Sequence, residues 1–309
     1  MVDEPVRLDD DYEHAYHEED TQAPLFRRLA AEFMGTLIFV AVGTGAATVF
    51  LLGPLQLFEQ FPEALRQSPE NSAAFSTLIQ NSFSDVLPVA FAFGATLAML
   101  IYAMGGVSGA HFNPAVTFAL AIGNRFKWGE VPMYWVAQIL GGIAGAFVVA
   151  GIYGQSGASL GGTDILFGAT TVAENIDQWQ AVLAEALIAF VLMSAVMAVA
   201  VDHRAPKGWS GLIIGLALAG GIMVTAAATG GSANFARTLG PFVASLRYDI
   251  EGSIPWGDLW IYAVGPVVGA AAAGLVYESV TGLERVGPAP SPGAATTDDD
   301  LGARPPVDL

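Results

Sequence analysis

Not one of the 309 residues is cysteine, so the chain has no disulfide, no thiol nucleophile and no thiolate metal site. Charge is scarce as well: 13% of residues are Asp, Glu, Lys or Arg, against 53% that are hydrophobic. A soluble chain of this length would carry more charge and would suggest two domains; this composition is that of a membrane protein. Lysine occurs only at Lys127 and Lys207, and no basic patch is available to hold nucleic acid. No basic region precedes the first apolar run, so a cleaved signal peptide is not expected. No nucleophile–base set and no fixed cluster of metal ligands occurs, which argues against an enzyme, a metal or a cofactor. His14 and His17 have metal-like spacing but lack a third ligand.

The charge that is present lies mostly at the ends. Of a net −17, nine acids fall in the first 20 residues, and Asp298, Asp299, Asp300 and Asp308 crowd the last twelve. Residues 1–24 and 282–309 are therefore expected to be disordered tails. An acidic surface with so little lysine suits a protein working in high salt. Between the tails, residues 25–281 read as one membrane domain, and its 36-glycine chain favours closely packed helices. Spans are expected at Leu29–Leu52, Val86–Met104, Met133–Tyr153, Ala181–Val201, Gly211–Thr229 and Leu259–Val280. Gly53–Asp85 reads as a polar, proline-punctuated loop with room for a short surface helix. Gly154–Gln178 has no basic residue. Gly141 and Gly145 sit at close-packing spacing in the third span.

The unusual stretch is Gly105–Arg125, which interrupts this apolar landscape with Ser108-Gly-Ala-His-Phe-Asn-Pro-Ala. Irregular backbone at membrane depth survives only where protein buries it or where it lines a water-filled path. Asn113 suits a helix cap and Pro114 a first turn. From Asn113 to Ile122 is ten residues, about 15 Å of helix, or half the hydrocarbon thickness. That is a half-helix whose free N–H groups face the membrane midplane. Thr229–Pro241 repeats the pattern with Gly-Gly-Ser-Ala-Asn-Phe-Ala, placing Asn234 and Ala236 where the first copy has Asn113 and Ala115.

The repetition extends further. Asn113 and Asn234 are offset by 121, Ala31-Glu32 and Ala184-Glu185 by 153, and an insertion in the long first loop accounts for the difference. The first repeat covers about residues 29–153 and the second about 181–280. Each holds three spans, an odd number, so the second is inverted in the membrane. Nine basic residues (Arg7, Arg27, Arg28, Arg125, Lys127, Arg204, Lys207, Arg285, Arg304) fall on one side and three (Arg66, Arg237, Arg247) on the other. The positive-inside rule then puts both termini in the cytoplasm.

These paired boxes, each after a long apolar helix and before a short one, resemble the aquaporin (major intrinsic protein) family over roughly Leu29–Val280. The resemblance implies an all-α membrane protein with six transmembrane helices and two re-entrant half-helices in inverted repeats. It implies a passive channel for water and small uncharged solutes in the plasma membrane, without cofactor, assembled as a homotetramer with one pore per subunit. Asn113, Pro114 and Ala115, with Asn234, Phe235 and Ala236, then form the pore boxes. Read as chemistry, the two asparagines offer amide N–H groups to a passing oxygen, while the two positive helix ends repel cations. Read more plainly, they are helix caps.

Glu32 and Glu185 are the acids deep in spans, where a charge is costly; the resemblance makes them, with His111, braces for the re-entrant loops. It also makes Arg237 part of a narrow filter with Phe93, Ile222 and Gly231. Water-selective members usually have His where Ile222 stands, and glycerol facilitators Trp where Phe93 stands and Asp where Thr238 stands. The quartet here most resembles the archaeal aquaporin M type. Phe235 departs from the family's Pro: it is larger and keeps its N–H, so it is expected to disturb the approach of the second half-helix, or to block the pore. The alternatives to a water channel are a glycerol-type facilitator, an ion-coupled secondary transporter and a closed structural membrane protein.

Overall fold

The computed structural model describes residues 23–60, 86–248, 250 and 253–283. Both acidic tails and most of the long first loop, with His14 and His17, lie outside the described residues. The helices are α1 (Leu25–Glu59), α2 (Leu87–Ser108), α3 (Pro114–Ile122), α4 (Val131–Ala158), α5 (Gln178–Val196), α6 (Ser210–Thr229), α7 (Phe235–Ser245) and α8 (Leu259–Thr281). Six of them are long and apolar enough to cross a membrane: α1, α2, α4, α5 with its widened last turn to Val201, α6 and α8. The two short ones, α3 and α7, each follow a loop that turns back from a spanning helix.

Helix α1 extends past the Leu52 expected from the Gly53-Pro54 pair, with Pro54 inside it. Pro54 removes one backbone donor but has a helical φ. Leu52 and Leu55, buried against Ile165, hold the extension. At 35 residues, or about 52 Å, α1 is longer than the hydrocarbon core is thick. Ile165 belongs to the segment after α4, where β1 (Ser159–Leu160) and β2 (Thr163–Asp164) pair as a small hairpin. Gly161 and Gly162 make its turn at φ 59° and 81°, conformations that glycine enters without strain.

Glycine decides how closely the spans cross. A Cβ on Gly141 would meet the Phe33 carbonyl oxygen and one on Gly145 that of Leu37, so α4 lies directly on α1. In the second repeat Gly269 meets the Ala186 carbonyl in the same way, seating α8 on α5. The two repeats join where Gly94 of α2 and Gly215 of α6 each approach the other's carbonyl oxygen. These two glycines are themselves 121 residues apart. In lipid there is little hydrophobic force between helices, so such backbone contact and its dispersion energy supply much of the packing.

Ion pairs close one end of the bundle. Arg28 Nη1 lies 2.6 Å from Glu130, Arg125 pairs with Glu278, and Arg204 Nη2 lies 2.6 Å from Asp202. Arg27, Lys127 and Lys207 belong to the same end by their position in the chain.

Gly215→Val tests the crossing. It should lower thermal stability in detergent by about 1–3 kcal/mol, the usual cost of overpacking, or abolish folding. Gly220→Val, on the same helix with nothing within 4 Å of its Cβ, should leave the melting temperature close to the parent's.

Candidate functional site

The two re-entrant loops have the same strained backbone. In the first, Gly109, Ala110 and Phe112 have φ of 86°, 51° and 49°; in the second, Gly230, Gly231 and Ala233 have 78°, 61° and 54°. Left-handed backbone at a residue other than glycine costs roughly 1–2 kcal/mol and persists only where neighbours enforce it. The enforcing groups are two buried carboxylates. Glu32 on α1 accepts hydrogen bonds from Ser108 Oγ at 2.7 Å and His111 N at 3.0 Å on one oxygen. Its other oxygen accepts from Phe112 N at 2.7 Å and Gln138 Nε2 at 2.8 Å. Glu185 on α5 accepts from Thr229 Oγ1 at 2.7 Å, Ser232 N at 3.0 Å and Ala233 N at 2.8 Å. Tyrosines finish both turns: Tyr134 donates to Ser108 O at 2.9 Å and Tyr262 to Thr229 O at 2.8 Å.

Held this way, each loop delivers an asparagine to the start of its half-helix. Asn113 Oδ1 accepts from Ala115 N at 2.9 Å, and Asn234 Oδ1 accepts from Ala236 N at 3.0 Å. The amide nitrogens cross between repeats. Asn113 Nδ2 donates to Ala233 O at 2.7 Å, and Asn234 Nδ2 donates to Phe112 O at 2.8 Å. Each carboxamide therefore has its oxygen and one N–H fixed by backbone, leaving one N–H per asparagine. The capping and lumen-facing readings of these residues are compatible, because the two functions use different atoms. His111 contributes its backbone N–H to Glu32. Its ring lies against Phe126 and Tyr134 with Nδ1 3.1 Å from Thr117 Oγ1.

A cavity opens from the asparagine pair toward the ion-paired end. Its polar side chains are His111, Asn113, Ser232 and Asn234; the rest of its wall includes Phe39, Leu97, Ile101, Val116, Leu120, Ile214 and Leu218. Its free volume for water-sized spheres is about 60 Å³, enough for a short file of waters. None of Arg237, Phe93, Ile222 and Gly231 lines this cavity; Arg237 meets Phe93, and Gly231 meets Ile222. The Arg237 guanidinium stands 4.9 Å from the centre of the Phe93 ring, and Nη1 donates to Gly168 O at 2.9 Å. Its Nε has no acceptor. A Cβ on Gly231 would stand 3.1 Å from Ile222 Cα, so that corner is lined by backbone. Thr238 does not join this group; its hydroxyl is 2.7 Å from both Thr170 and Ser232 hydroxyls.

Phe235 behaves differently from the sequence-based expectation. It neither separates the half-helices, whose asparagine cross-bonds are short, nor enters the cavity between the asparagines and the ion-paired end. Half-buried, it lies with Pro114, Trp135, Tyr262 and Pro266 around a separate apolar hollow. At the first helical position its extra bulk is accommodated by that hollow.

Several contributors carry no motif. Gly168 supplies the carbonyl to Arg237 from a turn whose neighbours Leu166 and Phe167 are buried with φ of 50° and 52°. Gln138 joins Glu32 to Thr117, with Nε2 at 2.8 and 2.9 Å. A detectable signal existed for Gln138, the one amide in the expected third span, and for Tyr134 and Tyr262, which share the 128-residue offset of Gly141 and Gly269.

The unequal donor sets give a test. Glu32→Gln turns an NH₂ toward at least one of four donors, whereas Glu185→Gln faces three. Each buried clash of donors costs about 1–3 kcal/mol. Glu32→Gln should therefore shorten the folded half-life in detergent more than Glu185→Gln, measured by loss of a monodisperse gel-filtration peak on heating. Equal losses would show that Gln138 adds nothing to the brace.

The Major intrinsic protein family pattern matches residues 19–277. An aquaporin, AqpM of Methanothermobacter marburgensis, is 38% identical over 257 residues, covering 83% of this chain and 98% of that protein. The probable aquaporin AqpM of Archaeoglobus fulgidus is 38% identical over 253 residues, covering 82% and 96%. Among solved structures, the X-ray structure of the aquaglyceroporin from Plasmodium falciparum superposes with a TM-score of 0.65, at 22% identity, over 84% of this chain and 97% of that one. That likeness concerns the fold: six spans and two half-helices. With a matching pattern across most of its length and relatives aligned nearly end to end, this multi-pass membrane protein belongs to the major intrinsic protein family, the aquaporins.

Proposed function

We propose that, in this passive channel for water and small uncharged solutes, the conducted path runs between Asn113 and Asn234 and past Arg237. The observation that carries this reading is the reciprocal pair of asparagine–carbonyl bonds across the repeats. Those bonds fix the direction of the remaining N–H on each amide, and both helix N-termini add positive potential at the same point. A water oxygen that accepts from both amides has its hydrogens turned outward along the path. It cannot accept a proton from one neighbour while donating to the next, so the proton wire is broken while water still passes.

Arg237, Phe93, Ile222 and Gly231 act as the outer filter. The guanidinium, fixed by Gly168 and stacked against Phe93, keeps a positive charge in a space with little screening. A passing water oxygen is a suitable acceptor for its unpaired Nε. Ile222 contributes no donor, which makes this constriction more apolar than one with an imidazole. Glu32, Glu185 and His111 act as scaffold rather than as proton carriers. Both acids are enclosed by donors, leaving no free face toward the path. The termini lie in the cytoplasm, because the ion-paired end is also the end richer in Arg and Lys. The protein works in the plasma membrane as a homotetramer, each subunit with its own path, and its chemistry is permeation, not catalysis. A glycerol-type facilitator is the second reading, favoured by the missing imidazole at Ile222.

Stopped-flow light scattering on proteoliposomes separates these readings, with sucrose and then glycerol as the osmolyte. Water flux well above that of protein-free vesicles should be unchanged by an imposed proton gradient and should carry no current. Proton-coupled solute uptake that disappears in Glu32→Gln would instead make the protein a transporter.

Arg237→Val removes charge, donors and bulk together, and Gly231 of the proposed filter has no side chain to replace them. Glycerol flux should rise about tenfold, equivalent to about 1.4 kcal/mol off the barrier, with a small proton leak detectable by a pH-sensitive dye. Water flux should change little, since Asn113 and Asn234 keep their amides. A folded variant equal to the parent in both signals would make Arg237 a structural residue.

A further inference from the structure

The 121-residue offset that relates Asn113 to Asn234 has no insertion within the α2–loop–α3 and α6–loop–α7 units. It can therefore be applied to every lumen residue in them. Applied to the outer quartet, it maps Phe93 onto Ile214, Ile222 onto Ile101, Gly231 onto Ala110 and Arg237 onto Val116. All four counterparts line the one cavity between the asparagines and the ion-paired end. The correspondence extends to the backbone: Ala110 and Gly231 are both left-handed, with φ of 51° and 61°. Ala110, Val116 and Ile214 are buried.

We propose that Ile101, Ala110, Val116 and Ile214 form an inner specificity ring, the pseudo-twofold partner of the outer filter, which limits the size of neutral solutes in series with it. The proposal rests on the path assigned above. The pseudo-symmetry puts four positions around the lumen at matching depth on the two sides of the asparagine pair. On the outer side one of the four is a guanidinium; on the inner side none has a donor or an acceptor. A polyol crossing the inner ring sheds water from its hydroxyl groups and receives nothing from these side chains in return, and such constrictions also resist ions by dewetting. Water loses least, because it is small enough to keep its bonds along the file.

Two constrictions in series make a distinctive prediction: opening one leaves the other limiting. The test uses the full-length chain in proteoliposomes at matched protein content, with glycerol and the longer polyol erythritol. The variants are Arg237→Val, Ile101→Ala with Ile214→Ala, and all three together. Arg237→Val alone should raise glycerol flux but leave erythritol within about twofold of the parent, since the inner ring is intact. The inner pair alone should also leave erythritol low, held back by Arg237. The triple variant should raise erythritol about tenfold above either. Removing two isoleucine side chains can cost enough stability to prevent folding, so Val116→Leu in the Arg237→Val background provides the opposite test. It adds one methylene to the ring and should lower glycerol flux severalfold.

If Arg237→Val raises glycerol while the triple variant matches it for both solutes and Val116→Leu has no effect, there is no inner ring, and the outer filter stands. If Arg237→Val itself is silent as well, the path assignment fails and the ring with it.

Discussion

Backbone satisfaction in hydrocarbon is the constraint on which the rest of this structure depends. A loop that turns back at the midplane exposes N–H groups that hydrocarbon cannot pair, and each one left unpaired costs several kcal/mol. Glu32 and Glu185 remove that cost, binding Phe112 and Ala233 along with the residues before them. A carboxylate is well suited to this role, since it accepts through both oxygens and has no donor to misplace. The strained φ values of Ala110, Phe112 and Ala233 follow from this arrangement, and so do the positions of the two asparagines. Buried charge and irregular backbone would each be unfavourable alone; together each satisfies the other.

The two repeats share this scaffold and differ where the scaffold does not require identity. Glu32 with Ser108 and Tyr134 has its image in Glu185 with Thr229 and Tyr262. Gly141 against Phe33 has its image in Gly269 against Ala186, each pair related by the same offsets as its helices. At Gln138 the symmetry fails: its image is Pro266, which can donate nothing, so Glu185 has one partner fewer than Glu32. Pro114 and Phe235 also differ, and here the reason is visible. Both sit at the first position of a half-helix and line the same apolar hollow. Pro supplies a fixed φ and Phe supplies surface, and the capping asparagine sets the geometry in either case.

Much of this was legible in the sequence because the informative residues break the local pattern. Glutamates within apolar spans, an Asn-Pro-Ala at membrane depth and an arginine after Asn234 are each too costly in lipid to be incidental. Their pairing at fixed offsets then specifies the topology. Helix ends were less legible. Gly53-Pro54 looks like a stop, yet tertiary packing of Leu52 and Leu55 on Ile165 carries α1 onward. Least legible was the segment around Gly168. It has no periodicity and no charged residue to mark it, and its turn uses positive φ at Leu166 and Phe167, which local preference disfavours. Its importance comes from where its carbonyl ends up beside Arg237, a long-range contact that no local pattern encodes.

The asymmetry of the lumen completes the physical picture. The scaffold places two carboxylates near the midplane, and uncompensated they would attract cations toward it. Their lone pairs are instead turned onto loop N–H groups, while the half-helix dipoles present roughly half a positive charge each on the lumen side. That balance holds in both repeats, so on the proposed path the asparagine pair repels cations in its own right and Arg237 adds to it. On the proposed path the guanidinium is a second, localised barrier on one side of the asparagines only, where Gly168 and Phe93 hold it. In the inner half the corresponding position is Val116, and a second arginine there would have to find its own carbonyl and ring. The image of Phe93 is Ile214, which offers no π face. On the proposed path one repeat therefore supports a charged residue and the other an apolar one, although both are built on the same backbone.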